Sequence, residues 1–377
     1  MIAEDLARLF EPFRIGRLEL KNRIAMAPMT RSFSPAGVPG PDVAAYYRRR
    51  AEGGAGLIIT EGTYVGHAST HADPDVPLFS GEHALAAWGH VAAEVHAAGA
   101  KIIPQLWHIG LVETRGTSLA AMEAPRFRPE LGQVGPSGML RPEVVVAPPM
   151  TNAVIDAIID AFATAAVAAK RLGFDGVELH GAHGYLIDQF FWPGTNRRTD
   201  RYGSTYAGRG LFAAEIISEI RRRTGTDFPI LLRISQWKQQ DYAATIADTE
   251  QDLAAVLQPS VEAGVDMFHC SQRRFWEPAF ADSHLNLAGW VRKLTGKPTM
   301  TVGSVGLDTE FLESLTEGKS GTPVAFDRLL SMLAQDQFDM VAIGRAMLAD
   351  AEWAEKIRRG DIAALQPFHP SVLQTLS

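Results

Sequence analysis

Two histidines and a tyrosine lie close together in the segment His180-Gly-Ala-His183-Gly-Tyr185, directly after the apolar residues 174–179. Imidazole can donate a hydrogen bond to a carbonyl or nitro oxygen on which negative charge develops, so the two histidines resemble an oxyanion hole. The Tyr185 phenol can give a proton to a developing carbanion. A metal site, a structural histidine pair and a buried tyrosine with a satisfied hydroxyl are the alternatives, although no H-E-x-x-H pattern and no evident third ligand accompany them.

Eight short apolar runs recur along the chain, and segments with helical periodicity separate them. Runs that are apolar throughout are typical of strands buried on both faces, which indicates a parallel sheet. The runs cover residues 23–29, 57–62, 101–107, 174–180, 230–235, 265–271, 299–303 and 339–344. The clearest helices are residues 82–98, 151–171, 209–223 and 248–263. A glycine closely follows each of these four, as expected where a helix ends in a left-handed residue.

Eight βα units predict an α/β fold, a (β/α)8 TIM barrel that forms one domain over residues 1–377. A doubly wound open sheet is the alternative, but no G-x-G-x-x-G follows the first strand. Residues 13–20, with Gly16 in a turn, predict a hairpin that plugs the N-terminal end of the barrel. Residues 110–149, rich in Pro and Gly, predict a long loop over the C-terminal mouth after strand 3. The loop 272–283 could line the pocket or cover strand six.

Composition limits the partners and the compartment. The net charge is −7 and no Lys/Arg-rich block is present, which argues against nucleic acid or an anionic membrane surface and favours a small-molecule substrate. Cys270 is the single cysteine, so neither a disulfide framework nor a multi-thiolate metal site can form within the chain. We also identify no apolar run long enough to span a bilayer. A soluble, cytoplasmic protein is expected.

Further polar residues lie near the ends of the other predicted strands, where (β/α)8 barrels assemble their active sites. The Gln105 amide could pair with a ring edge or merely satisfy a loop. The Arg233 cation needs an anionic or electron-rich partner, or an ion pair such as one with Glu178, to offset its burial. After strands seven and eight, four residues could bind a phosphate monoester through backbone amides and a guanidinium. They are Gly303, Ser304, Gly344 and Arg345.

Taken together, these residues resemble the Old Yellow Enzyme family of FMN-dependent ene-reductases, the NADH:flavin oxidoreductases. The resemblance covers most of the chain and rests on several further motifs in order. They are Leu9-Phe-Glu-Pro-Phe13, Lys21-Asn-Arg23, Ala25-Met-Ala-Pro-Met-Thr-Arg31, Gly176-Val-Glu-Leu-His180, Asp188-Gln-Phe190 and Asn196-Arg-Arg-Thr-Asp-Arg-Tyr-Gly203.

The resemblance implies a non-covalent FMN over the barrel mouth. Pro28, Met29 and Thr30 would lie beneath or beside its ring, with Thr30 where some relatives have cysteine. Gly62 and Gln105 would border the ring, and Arg233 would oppose the charge of reduced flavin near N1. The phosphate would bind at Gly303, Ser304, Gly344 and Arg345.

The resemblance also implies two half-reactions at one site. NADH or NADPH would reduce FMN and leave. An electron-poor alkene would then place its carbonyl or nitro oxygen on His180 and His183, accept hydride from flavin N5 at the β carbon and receive a proton from Tyr185 at the α carbon. Trp107 matches a pocket residue associated with substrate size. The tail 367–377 lacks the Arg-Tyr ending that some relatives insert into a neighbouring protomer, so both monomer and homodimer stay open.

Three other functions remain open from the sequence. An FMN-dependent dehydrogenase on the same barrel could oxidise an amine or alcohol, although the cysteine cluster of the amine dehydrogenases is absent. A metal-dependent barrel lyase or hydrolase would use His180 and His183 as ligands. A non-catalytic flavin-binding or ligand-binding protein is the third.

Overall fold

The computed structural model describes residues 2–114, 126–310, 313–314, 318–324 and 326–377. Its centre is a closed barrel of eight parallel strands in the order β3-β4-β5-β8-β9-β10-β11-β12, and β12 pairs with β3 to close the ring. The twelve strands are β1 Phe13–Ile15, β2 Leu18–Leu20, β3 Ile24–Met26, β4 Leu57–Tyr64, β5 Lys101–Trp107, β6 Met139–Arg141, β7 Val144–Val145, β8 Val177–His183, β9 Ile230–Lys238, β10 Met267–Ser271, β11 Thr299–Val302 and β12 Met340–Ile343. The predicted (β/α)8 fold is confirmed.

Helices cover the outside of this barrel. Those described here are α1 Ile2–Leu9, α2 Pro41–Glu52, α3 Glu82–Ala97, α4 Asn152–Arg171, α5 Leu186–Phe191, α6 Tyr206–Thr224, α7 Glu250–Glu262, α8 Leu287–Thr295, α9 Asp327–Ala334, α10 Arg345–Ala349 and α11 Trp353–Arg359. The glycines expected after α3, α4, α6 and α7 all have positive φ, between 76° and 93°. Each of the four helices is therefore followed by a glycine with positive φ, as predicted, although Gly225, with ψ −176°, is outside the left-handed helical region.

The barrel interior is apolar at its N-terminal end, and the β1–β2 hairpin packs there. Ile15 and Leu18 from the hairpin belong to the same buried cluster as Leu57, Leu231 and Met300 from the barrel strands. The turn at Gly16 has φ 57°. Alternation along each strand sends these residues inward and their neighbours outward, against the helices. The predicted plug is confirmed.

Strand β8 differs from its prediction in a way that matters for the site. It begins at Val177 and continues to His183, three residues beyond the predicted end at His180. The extension pairs with β9 across an irregularity between Gly181 and His183, and His183 itself has φ 64°. The two histidines are therefore part of one strand, and its end at His183 leads directly into α5.

The long connection after β5 contains the β6–β7 hairpin, and its residues 115–125 lie outside the described part of the chain. Within the loop at 272–283, Phe275 is buried in the outer core and Trp276 packs against it. Neither residue lines the cavity described below. These two aromatic residues of the loop therefore belong to the outer core.

Helix α4 corrects the expectation that no apolar segment is long enough to span a bilayer. Its 20 residues reach a mean hydropathy of 1.6. However, 56% of that apolar window is buried inside the protein. Ile155, Ile158 and Phe162 are fully buried in the outer core, as expected for a core helix of a barrel.

Candidate active site

A layer of polar side chains lies above the apolar core of the barrel, on the mouth side. Gln105 Nε2 donates to Glu178 Oε1 at 2.7 Å, and His269 Nδ1 lies 2.7 Å from Glu178 Oε2. All three side chains are buried. Both Glu178 oxygens therefore contact Gln105 or His269. The ion pair between Arg233 and Glu178, which the sequence analysis left open, is not formed among the described residues.

Arg233 is consequently a buried cation that lacks a counter-ion contact among the described residues. Its side chain is 7% exposed, and its Nε is buried with no hydrogen-bond partner. Burial lowers the Arg233 pKa to about 10, while the charge of Glu178 acts in the opposite direction. The guanidinium therefore stays charged at neutral pH and is available to an anionic or electron-rich ligand at the mouth.

The predicted donors His180, His183 and Tyr185 do come together. The ring of His180 is 5.3 Å from that of His183 and 4.9 Å from that of Tyr185, edge-to-face in both cases. His180 Nδ1 is buried without a partner. His183 Nε2 lies 2.8 Å from Ser271 Oγ.

Burial controls the protonation of this cluster. It lowers the pKa of both histidines well below the ordinary value, and the nearby Arg233 charge adds to the effect. It raises the pKa of Tyr185 to about 12. At neutral pH the histidines are therefore neutral hydrogen-bond donors, and Tyr185 keeps its proton.

A cavity of about 560 Å³ opens beside these donors. Aromatic rings form its wall, since Trp107 stacks on His180 at 5.9 Å and meets Tyr185 edge-on at 4.8 Å, while Tyr64 packs against Trp107 at 5.0 Å. Thr30 lines the same cavity. The rest of the lining includes charged and amide side chains, so the cavity is of mixed polarity. A cavity of this volume is typical of a small-molecule site.

The segment after β3 is held in place by a buried carboxylate. Glu61 Oε2 accepts hydrogen bonds from the backbone N–H groups of Arg31 and Ser32, at 2.8 and 3.1 Å. Ser32 has φ 55°. Burial raises the Glu61 pKa to about 7. These bonds fix Thr30 at the edge of the cavity.

One glycine among the predicted ring-binding residues, Gly62, is required by close approach. A Cβ on Gly62 would lie 2.6 Å from Trp107 Cε3, so the indole packs directly on its backbone. Gly344, which was predicted to bind the phosphate, lies next to Met29, because a Cβ there would be 3.5 Å from Met29 Sδ, an ordinary van der Waals distance. Pro28 is buried next to Met29. The segment after β3 therefore meets the end of β12, and Gly62 packs against the Trp107 ring of the cavity wall.

The predicted phosphate region has more internal bonding than the sequence suggested. Gly303 has φ 143°, and a Cβ there would overlap the Gln272 carbonyl. The Arg345 guanidinium donates to Thr309 O at 2.6 Å, Ser314 Oγ at 2.6 Å and Ser304 Oγ at 3.3 Å. Arg345 thus holds the loop after β11 in place, and its contact with a phosphate stays a prediction.

The arrangement fits the flavin that the resemblance implies. Arg233 supplies a buried cation that forms no ion pair with the described residues, Gln105 supplies an amide at the mouth, and Gly62 and Gly303 supply backbone that a side chain would block. The metal alternative has less support, because no group of three His, Cys, Asp or Glu side chains converges anywhere in the described ranges.

Sequence reasoning missed several residues that support the donors. Ser271 contacts His183, Ser235 Oγ accepts its backbone N–H at 2.8 Å, and the Trp237 ring stacks on its imidazole at 4.3 Å. These residues come from β10 and from the C-terminal half of β9. In the sequence these residues stand out only because they follow Arg233 and Cys270 near the ends of strands. Their positions in the sequence do not show that they contact His183.

Comparison with known proteins agrees with this site. Residues 8–362 match the NADH:flavin oxidoreductase / NADH oxidase family. NADH oxidase of Thermoanaerobacter brockii is 34% identical over 362 residues, which cover 93% of this chain and 51% of that protein. 12-oxophytodienoate reductase 2 of Arabidopsis thaliana is 37% identical over 231 residues, 60% of each chain. This chain therefore spans about half the length of the T. brockii relative.

Solved structures show the same likeness across nearly the whole chain. Morphinone reductase in complex with tetrahydroNAD superposes with a TM-score of 0.76 and 27% identity, covering 97% of this chain and 93% of that one. The Old Yellow Enzyme homologue from Zymomonas mobilis gives a TM-score of 0.75 at 23% identity, covering 98% and 96%, and shows the fold. The chain belongs to the NADH:flavin oxidoreductase / NADH oxidase family, the Old Yellow Enzyme family.

Proposed function

We propose that the protein is an FMN-dependent NAD(P)H oxidoreductase that reduces the C=C bond of α,β-unsaturated carbonyl compounds, with nitro compounds and quinones as related acceptors. The observation that carries the proposal is the cluster of His180, His183 and Tyr185 beside the cavity, with the Arg233 cation buried nearby. The names of two relatives, 12-oxophytodienoate reductase and morphinone reductase, support reduction of an oxygen-bearing organic substrate.

The residues that would hold FMN are those gathered at the mouth. Pro28, Met29, Thr30, Gly62 and Gln105 would contact the ring, and Arg233 would oppose its negative charge. The phosphate would bind at the region of Gly303, Ser304, Gly344 and Arg345. When bound, FMN would supply the hydride, after reduction by NADH or NADPH.

His180 and His183 would bind the carbonyl or nitro oxygen of the alkene. Both imidazoles are neutral at neutral pH because burial and Arg233 lower their pKa values. A neutral imidazole donates one N–H, and two such donors strengthen their bonds as negative charge builds on the oxygen. Their effect is therefore larger in the transition state than in the bound substrate, which is the condition for acceleration.

Tyr185 would give its proton to the α carbon. Tyr185 lines the cavity, and its ring lies 4.9 Å from that of His180. With its pKa raised to about 12, the phenol remains protonated over the whole physiological range. Trp107 and Tyr64 would keep water from the reacting atoms and limit the size of the substrate.

We further propose a cytoplasmic protein that acts on small molecules, as a monomer or homodimer, without nucleic-acid or membrane partners. The single cysteine is buried, which fits a reducing compartment, and the net charge of −7 does not favour polyanions.

The test separates the two half-reactions. The purified holoprotein is reduced anaerobically with NADH or NADPH and then mixed with a panel of enones, nitro compounds and quinones in a stopped-flow instrument. Tyr185→Phe should leave reduction within about twofold and slow reoxidation by enones about a hundredfold or more, the usual contribution of a general acid. Tyr64→Phe removes a hydroxyl from the same cavity wall and is the matched control. Equal slowing of both half-reactions by Tyr185→Phe would reject the proton-donor role, and no reoxidation of the wild type by any enone would reject the function.

A further inference from the structure

A buried ion pair lies behind the proton donor, outside the cavity. Lys238 Nζ donates to Asp188 Oδ1 at 2.6 Å, and both side chains are 0% exposed. The same ammonium donates to the Ser235 carbonyl at 3.1 Å. Neither residue lines the cavity. Burying two charges is costly unless each is fully hydrogen-bonded, so a pair in this place calls for a reason other than stability alone.

The second carboxylate oxygen of Asp188 binds Gly184, the residue between His183 and Tyr185. Asp188 Oδ2 accepts the backbone N–H of Gly184 at 2.7 Å. The Gly184 carbonyl accepts from Gln189 Nε2 and Gln240 Nε2, each at 2.8 Å. Both peptide groups that flank Gly184 are therefore fixed by side chains. Since Gly184 joins His183 to Tyr185, these bonds set the relative orientation of the two donors.

The backbone at this turn would not keep its conformation without such bonds. His183 has φ 64° and Gly184 has φ 80°, two successive residues in the left-handed region. A non-glycine residue there is held only where the surrounding structure imposes it. A Cβ at Gly184 would also overlap the Gln240 side chain. The turn is a tightly constrained connection between β8 and α5.

Lys238 links this turn to the neighbouring strand. Its backbone pairs with His183 in the β8–β9 register. Ser235, three residues before Lys238, accepts the His183 N–H at its Oγ and donates to Trp237 O at 2.7 Å. The Trp237 ring in turn stacks on the His183 ring. The ammonium group therefore fastens the end of β9 to the first turn of α5, which begins directly after Tyr185.

We propose that Lys238 and Asp188 are positioning residues for the proton-transfer step: the buried pair holds the Gly184 peptide so that Tyr185 and His183 meet the same bound alkene. This inference rests on the proposed function. It assigns the pair to the alkene half-reaction and predicts little effect on flavin reduction. A shift of about 1 Å in a reacting group can lower a rate about a hundredfold.

The pair allows a test by removal and rescue. Lys238→Met leaves Asp188 as a buried carboxylate without its cation, which disturbs the turn. The double variant Lys238→Met/Asp188→Asn removes both charges and keeps an amide oxygen that can accept the Gly184 N–H. Lys356→Met is the matched control, because Lys356 also forms an ion pair, with Asp350 at 2.8 Å, but on α11.

Each variant is prepared as the FMN holoprotein and measured in three ways: FMN content, the two half-reaction rates, and hydrogen exchange of the peptide that contains Gly184. For Lys238→Met we expect full FMN content, flavin reduction within about twofold, reoxidation by an enone slowed by about ten- to a hundredfold, and faster exchange at Gly184. If Lys238→Met slows reoxidation about a hundredfold, the double variant should be reoxidised at least about tenfold faster than Lys238→Met. Lys356→Met should match the wild type.

Several outcomes would overturn the inference. A Lys238→Met protein that is reoxidised at the wild-type rate would show that the pair does not position the donors. Equal slowing of both half-reactions, loss of FMN, or failure of the double variant to recover would show a merely structural role. If the wild type reduces no enone, the proposed function fails instead, and unchanged exchange at Gly184 in Lys238→Met would then reject the link between the pair and the turn.

Discussion

Glu61 provides a quantitative prediction about stability. Its carboxylate is 2% exposed and accepts the N–H groups of Arg31 and Ser32, yet burial raises its pKa from 4.5 to about 7. The folded state therefore binds a proton more tightly than the unfolded chain. Stability from this group is fully present below about pH 4.5 and is lost as the pH rises through about 7. At about 1.4 kcal/mol per pKa unit, the loss is about 3 kcal/mol.

The perturbation is Glu61→Gln, which keeps an acceptor for both N–H groups and cannot ionise. Relative to the wild type, the variant should gain up to about 3 kcal/mol of unfolding free energy between pH 5 and pH 8. Urea unfolding at several pH values, with equal saturating FMN in every sample, measures the difference and cancels the contribution of ligand binding. Glu262→Gln removes an exposed carboxylate and is the control.

The reasoning would be refuted if the difference between Glu61→Gln and wild type were the same at pH 5 and pH 8. A change of the opposite sign would mean that the hydrogen bonds from Arg31 and Ser32 stabilise the carboxylate more than burial destabilises it. In either case the carboxylate would hold the segment after β3 in its ionised form.

Three further predictions concern the cavity. Burial raises the Tyr185 pKa to about 12 and lowers those of His180 and His183 well below their ordinary range, and the Arg233 pKa is about 10. Single-turnover reoxidation by an enone should therefore be constant from about pH 7 to 9; a midpoint inside that window would contradict the assignment. The variant His180→Ala/His183→Ala should bind phenolic ligands more weakly at unchanged FMN content, measured by absorbance titration, whereas loss of FMN would indicate a structural role. Gly62→Ala should displace Trp107, whose Cε3 would lie 2.6 Å from the new methyl carbon. The variant should lose about 1–3 kcal/mol of unfolding free energy and bind FMN more weakly. Wild-type values in urea unfolding and FMN titration would show that the indole can move at no cost.

The barrel itself could be predicted because its strands are apolar throughout. Residues 101–107 were predicted with the observed bounds, since both faces of β5 are buried and the run has clear ends. The end of β8 could not be predicted. Gly181 and His183 carry no strand signal, and their pairing depends on an irregular register with β9. Strand ends that form a site are set by contacts between strands rather than by local composition.

The donors were predicted from the residue types, but the network behind them was not. A lysine such as Lys238 is normally exposed, and nothing in the segment 236–240 indicates that its ammonium is fully buried against Asp188. Arg345 shows the same limit, because its partners are a carbonyl and hydroxyls in the loop after β11. Residue chemistry identifies candidate groups, while long-range pairing decides what each one touches.

Much of the cavity lining comes from loops, whereas the buried polar layer of the barrel belongs to strands. Ala72, Val112 and Tyr242 come from three separate connections after β4, β5 and β9, while Gln105 and Arg233 are fixed within the barrel. Loops tolerate substitution better than buried strands. Changes of substrate range could therefore accumulate in evolution, or be introduced by design, without altering the residues on which hydride chemistry would depend.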